Sequence, residues 1–312
     1  MKTNLRISKV SIANQEVDVL HDQLGEIISG NKIWKLYHLT ESIIEGHRKI
    51  KHVVTIGGAY SNSVLAIAAW GQQLGISTTA FIRGEELAKK EPNPILNSAK
   101  NQYGMNIRFI SREDYRDENR RSQILSETAD SLDGQVIDEG VSCEEGFRGA
   151  ELVFSQIDLS PYELVVLPVG YGTTLAGLLA ATQSSKVKIF AFPALNNKSQ
   201  VDEHLRKFLD DQYDECLQRL YWTEEFIFGG FAKSSDVLNN YVTKFTKHNL
   251  PVDWRYTGKM FYGLEQLLSG LSITSIKRFD EDETIEPRIF PVNSRKVLAV
   301  HTGGNLGMDD SL

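Results

Sequence analysis

The feature that most constrains this chain is a repeated alternation of apolar, β-rich runs with helix-forming runs. "HVVTI" at 52–56 reads as a strand and is followed by the helical "SVLAIAAWGQQLG". "STTAFIR" at 77–83, the helical "NPILNSAKNQYG" at 93–104, "NIRFI", a charged solvent-facing helix over 114–132 and "GQVIDEG" continue the series. It resumes with "YELVVLPVG" at 162–170, "TTLAGLLAATQ", "KVKIFAF" at 186–192 and a late "KVLAVHTGG" at 296–304. Strands covered on both faces by crossover helices read as continuous apolar runs, because neither face meets water. The pattern therefore predicts an α/β fold with parallel sheets. One sheet is expected from the strands between 52 and 138, and a second from 162 to the C-terminus, with 146–161 as the crossing helix and loop.

A length of 312 residues suits two modest domains. The chain is 41% hydrophobic and 24% charged, as soluble globular proteins are. Its net charge is -7, and the densest basic run is "HRKIK" at 47–51, expected at a helix end where cations are favoured. That balance argues against a nucleic-acid partner. Two distant cysteines, Cys143 and Cys216, exclude a disulfide scaffold and a cysteine-rich zinc site, and the seven histidines show no metal-ligand spacing. The polar N-terminal residues hold no apolar run long enough for a signal peptide or membrane span. A cytoplasmic chain with no membrane partner is expected.

Ligands on parallel sheets bind beyond the carboxyl ends of strands. Three predicted strands run into glycine- and hydroxyl-bearing turns: "GGAYSNS" at 57–63, "GYGTTLAG" at 170–177 and "HTGG" at 301–304. In the second, Gly170 and Gly172 permit close backbone approach, and Thr173 and Thr174 open a helix. Such a turn can cradle a phosphate on its amides; a left-handed turn with threonine capping the next helix reads equally well. Competing nucleotide motifs fail on spacing. A dinucleotide fingerprint needs glycine where Leu175 stands, and the Gly258-Lys259 pair is followed by Met260. Ser61, Asn62 and Ser63 offer a nest for a carboxylate or a phenolate oxygen, or a helix cap. "SGNKIWKL" at 29–36 adds Lys32 and Lys35 at the start of a predicted helix, where a permanent cation is disfavoured. A phosphate cradle, a carboxylate nest and a lysine of easily lost charge together suit an aldehyde cofactor carrying a phosphate, which is pyridoxal 5'-phosphate.

"GNKIWKL", "TIGGAYSNS", "GYGTTLAG", "RYTGKMFYGL" and "HTGG", in this order, resemble the fold type II pyridoxal-phosphate family that contains D-cysteine desulfhydrase and 1-aminocyclopropane-1-carboxylate (ACC) deaminase. The resemblance spans residues 19 to 304. It implies a tryptophan synthase beta-like fold of two domains, each with a largely parallel sheet flanked by helices. The larger, cofactor-binding domain would take 1–36 and 141–312 and the smaller 37–140, with the active site between them. It also implies that Lys32 bonds the cofactor aldehyde, and that Gly170, Tyr171, Gly172, Thr173 and Thr174 hold the phosphate. Asn62 would meet the cofactor's 3-oxygen, Ser61 the substrate carboxylate near the reacting carbon, and Tyr256 the ring face as an acid–base group. Thr257 would face the pyridine nitrogen. Lys35 is either a surface or structural lysine or a part of the site.

ACC deaminases carry glutamate where this chain has Thr257, and a hydroxyl cannot enforce a pyridinium charge as a carboxylate does. "YTGK" instead resembles the D-cysteine desulfhydrases. Two departures bear on the substrate. "FGGFAK" places Phe231 where the family has tyrosine, and Ser63 stands where it carries His or Gln. The expected activity is β-elimination from a small amino acid, giving a 2-oxo acid, ammonia and sulfide. ACC deamination to 2-oxobutanoate and ammonia is the alternative, and a non-catalytic amino-acid-binding relative is a third reading. Family members suggest a homodimer. His301 is expected at the pocket edge or in the core, Cys143 in packing, and 259–268 in the core.

Overall fold

The computed structural model describes residues 5–21, 30–230, 233–270, 273, 275–281 and 296–303. The chain divides into two compact units, 1–23 with 147–312, and 24–146. Within the second unit, β3 (His52–Gly57), β4 (Ser77–Arg83), β5 (Asn106–Ile110) and β6 (Gln135–Ile137) form one parallel sheet in the order β5-β4-β3-β6. Its helices are α1 (Lys32–Ile44), α2 (Asn62–Leu74), α3 (Pro94–Asn97), α4 (Arg112–Arg116) and α5 (Glu118–Ser131). Side chains alternate across a strand, so each face has its own core. Val53, Ala80, Ile82 and Ile137 pack with Leu65 and Ile67 of α2 and Leu36 and Leu39 of α1. Val54, Ile56, Phe81 and Ile110 pack with Leu125 and Ala129 of α5. This two-sided burial is why the strands read as unbroken apolar runs.

In the first unit the strands are β1 (Arg6–Ile12), β2 (Gln15–His21), β7 (Leu164–Val169), β8 (Lys188–Pro193), β9 (Leu220–Trp222), β10 (Lys277–Arg278) and β11 (Val297–His301). Their order is β1-β2-β11-β7-β8-β9-β10. The pairs from β2 to β9 are parallel, and each edge strand is antiparallel to its neighbour. The helices are α6 (Glu144–Ser155), α7 (Thr173–Ala181), α8 (Lys198–Leu209), α9 (Tyr213–Leu217), α10 (Asp236–His248) and α11 (Thr257–Leu268); the division between the units falls inside α6. Val166, Phe190 and Phe192 meet Met260, Phe261 and Leu264 of α11 and Leu238, Val242 and Phe245 of α10. Gly177 of α7 is a packing residue: a Cβ there would fall 2.6 Å from both Ala150 Cβ and the Glu151 amide of α6.

The parallel α/β architecture is as expected, with three local differences. The helix expected over 114–132 breaks at Asp117, whose extended backbone ends α4 and whose carboxylate caps α5 by accepting from the Arg120 amide. The "HRKIK" cations do not close a helix, because α1 ends at Ile44 and the chain turns through Gly46 before His47. The second sheet also recruits β1 and β2 from the N-terminal segment. Among the described residues no helix is long and apolar enough to cross a membrane.

Candidate active site

In the second unit two helix starts carry candidate residues. Gly30 adopts φ +85, a left-handed conformation that favours glycine, and turns the chain into α1. Lys32 is the first residue of that helix and is half-buried; its Nζ donates to Asn31 Oδ1 at 2.5 Å. Lys35 is 4% exposed and donates from Nζ to the Gly140 carbonyl at 2.8 Å. Burial first, and the neighbouring Lys32 charge second, hold its ammonium well below the usual lysine range. Lys35 is therefore interior rather than a surface group. The half-buried Cys143 thiol is pushed up to about 11 by burial, which makes it a poor nucleophile.

At the second start, Gly57 ends β3 and cannot carry a side chain: a Cβ would lie 2.9 Å from Val64 Cγ2 and 3.0 Å from Ser61. Ser61 caps α2 by accepting from the Val64 amide at 3.4 Å, a long bond. Asn62 follows half-buried, and Ser63 is buried. The turn is braced by Asn93, which donates from Nδ2 to the Ala59 carbonyl at 2.9 Å while its Oδ1 caps α3. Neither α1 nor α2 has an acidic residue in its first turn, so the positive end of each remains open to an anion.

In the first unit, β7 delivers Gly170, Tyr171 and Gly172 to the start of α7. Gly172 has φ +88, and a Cβ there would lie 3.1 Å from Val201. The turn's carbonyls are taken: Asn197 Nδ2 donates to Gly170 at 3.0 Å, and His204 Nδ1 donates to Tyr171 at 2.6 Å. Thr173 and Thr174 are buried in a first turn that again lacks acidic residues. Carbonyls held elsewhere, unhindered glycines and helix amides fit a phosphate dianion.

Tyr256 is brought to this turn: a Cβ on Gly170 would meet its Cε1 at 3.2 Å. Its neighbour Thr257 is fully buried and donates from Oγ1 to Asp253 Oδ2 at 2.6 Å, while Oγ1 accepts from the Asp253 amide at 3.0 Å. A hydroxyl has one proton to give, so toward any further group Thr257 can only accept. Asp253, Asn93, Asn197 and His204 are positioning groups that sequence reasoning missed, although an aspartate four residues before a helix-opening threonine is a readable capping signal. Lys259 lies in the core, as expected of 259–268. It is 1% exposed, and burial lowers its ammonium to about 8. Phe231 and the last glycine of "HTGG" lie outside the described residues.

His301 ends β11 in the core. Its Nε2 donates to the Pro251 carbonyl at 2.9 Å, its Nδ1 accepts from the Gly303 amide at 3.3 Å, and its ring lies 5.8 Å from that of His21. Burial lowers the pKa of both rings below the usual histidine value, and for His21 the neighbouring His301 adds to the shift. A depressed base contributes stability that is complete above its unfolded pKa and is lost as pH falls through the folded one. The wild-type thermal midpoint should therefore drop between about pH 7 and about pH 5, and that of His301→Asn should drop less. Parallel acid profiles would show that these rings do not carry the effect.

No family model matches the chain. It is 27% identical to the mitochondrial bifunctional D-cysteine desulfhydrase/1-aminocyclopropane-1-carboxylate deaminase of Arabidopsis thaliana, covering 93% of this chain and 72% of that protein. A putative 1-aminocyclopropane-1-carboxylate deaminase of Pyrococcus abyssi is also 27% identical, over 94% of this chain and 86% of its own length. Among solved structures, an ACC deaminase homologue superposes with a TM-score of 0.72 at 22% identity, covering 97% of this chain and 90% of that one. A pyridoxal 5'-phosphate-dependent aspartate racemase gives a TM-score of 0.64 at 13% identity, covering 96% and 90%. Over more than nine-tenths of its length the chain is thus similar to proteins named D-cysteine desulfhydrase and ACC deaminase, and its fold is the one seen in an ACC deaminase homologue and in a pyridoxal 5'-phosphate-dependent aspartate racemase.

Proposed function

We propose that the chain catalyses β-elimination from a small D-amino acid, D-cysteine in the first instance, giving a 2-oxo acid, ammonia and sulfide. The observation that carries this reading is residue 257. It is a threonine whose only proton goes to Asp253, so it brings no carboxylate to the ring-nitrogen position that the family resemblance assigns to it. Elimination of a good leaving group demands less of the electron sink than opening a cyclopropane does. The name of the Arabidopsis relative includes this activity.

Bound pyridoxal phosphate supplies the sink that makes the α-hydrogen acidic. The residues of the chain do the rest. Amides of 170–174 would hold the phosphate, and Asn62 would orient the 3-oxygen. Ser61 and the first amides of α2 receive the substrate carboxylate, a favourable place for an anion. Lys32, which would hold the cofactor, would take the α-proton on its Nζ, and the Tyr256 hydroxyl would be the second proton carrier. Sulfur leaves as HS⁻ with the Cβ–S electron pair, and the 2-aminoacrylate set free takes up water to give pyruvate and ammonia.

ACC deamination is the second reading, favoured by the names of the Pyrococcus relatives. The test is the holoenzyme assayed in parallel with D-cysteine, L-cysteine and ACC, following sulfide and 2-oxobutanoate. Sulfide from D-cysteine is the expected result. 2-Oxobutanoate from ACC without sulfide would overturn the reading, and bound cofactor without turnover would favour the non-catalytic binder.

A further inference from the structure

Lys259 satisfies all three of its ammonium protons on main-chain carbonyls. Its Nζ donates to Ile227 at 2.7 Å, Gly230 at 2.9 Å and Ala194 at 3.3 Å. A buried cation usually pairs with a carboxylate; here it has three backbone dipoles. Two of them belong to a turn of unusual backbone. Phe228, Gly229 and Gly230 have φ of +54, +83 and +123 in succession, and the Gly230 amide returns to the Ile227 carbonyl at 3.2 Å. A phenylalanine at positive φ persists only where its surroundings over-determine it. The Lys259 ammonium does this from one side, and the Phe228 ring against Tyr262, at 5.4 Å, does it from the other.

The third acceptor connects the turn to the phosphate cradle. The Ala194 amide donates to the Val169 carbonyl at 2.8 Å, one residue before Gly170. Lys259 also lies in the first turn of α11, three residues after Tyr256, whose ring a Cβ on Gly170 would meet at 3.2 Å. One ammonium thus joins three pieces of chain: the end of β8 beside the cradle, the helix start that bears Tyr256, and the turn that immediately precedes Phe231.

We infer that Lys259 is a positioning residue for substrate recognition, fixing the 227–230 turn relative to Tyr256 and the 170–174 cradle. This rests on the proposed reading, in which Tyr256 serves the substrate. Lys259 touches neither substrate nor cofactor; it acts through the carbonyls it holds.

The test uses Lys259→Met, which keeps the length of the side chain and removes its donors, with Lys259→Gln retaining one donor group. D-Alanine, which has no β-leaving group, is titrated into each holoenzyme and followed by the cofactor's visible spectrum. Amide hydrogen exchange is measured in parallel. Lys259→Met should bind D-alanine about tenfold more weakly, with Lys259→Gln between it and wild type. Cofactor affinity should stay within about twofold of wild type. Exchange should accelerate at 227–230 and not at 170–176. Equal D-alanine affinity in wild type and a folded Lys259→Met overturns the inference alone, as does weakening of substrate and cofactor together with faster exchange in both segments. If Lys259→Met does not fold, Lys259→Gln carries the same comparison. A wild-type holoenzyme that binds no amino acid overturns both this inference and the proposed function.

Discussion

Lys32→Ala should leave a folded protein that no longer holds its cofactor covalently and whose turnover falls by at least about 10³-fold, the loss expected when a nucleophile that also serves as the base is removed. Stability should change by no more than about 0.5 kcal/mol, because the side chain is half-buried and a cation at the positive end of a helix contributes little. Access favours Lys32 over Lys35. Lys35 is 4% exposed, with its Nζ turned to the Gly140 carbonyl, whereas Lys32 opens the helix beside Asn31. Burial first and the Lys32 charge second hold the Lys35 ammonium well below the usual lysine range. Borohydride reduction of the wild-type holoenzyme, followed by peptide mass mapping, should fix the cofactor mass on Lys32. Label found on Lys35, or retained in Lys32→Ala, would sink the assignment.

The central strands were legible because each is buried on two faces, and "LVVLPV" of β7 has no exposed residue to interrupt its apolar run. The elements that escaped lie where that signal fails. β1 sits at a sheet edge with mostly exposed side chains, so "RISKVSI" reads as a polar segment. β9 is three residues long, shorter than any periodicity can register. The site divides in the same way. Its glycines and hydroxyls announce themselves as local motifs after strands, while the groups that brace them do not. Asn197 and His204 hold carbonyls 27 and 33 residues away, and the acceptors of Lys259 are 29, 32 and 65 residues distant. A side chain that holds a remote carbonyl leaves no pattern in its own neighbourhood. Asp253 is the exception, since every group it holds lies within four residues of it, and it can be tested most directly.

Asp253→Ala should cost about 3 kcal/mol, combining a lost helix cap of about 1 kcal/mol with buried donors left unsatisfied at about 1–3 kcal/mol. The carboxylate is 6% exposed and accepts four bonds: Oδ1 from the Arg255 and Tyr256 amides at 2.8 and 2.7 Å, and Oδ2 from the Thr257 amide at 3.1 Å and hydroxyl at 2.6 Å. The N-cap position of α11 is Tyr256, whose own side chain makes no cap bond. Removing the carboxylate therefore loosens the helix start and the aromatic ring that rests on Gly170 together. Asp253→Asn keeps the Oδ1 acceptor but turns an NH₂ toward the Thr257 amide, so two donors face one another. It should fall between wild type and alanine in a urea titration followed by far-UV circular dichroism. Turnover should decline in the same order, by about 10²-fold for alanine, because a ring displaced by an ångström or so acts on the wrong geometry. Thr257→Val separates the two consequences: it removes one of the four bonds and the acceptor of the Asp253 amide while leaving the three amides capped, so it should lose less stability than Asp253→Ala. An Asp253→Ala protein as stable as wild type to within about 0.5 kcal/mol would mean that the cap is not what holds Tyr256 in place.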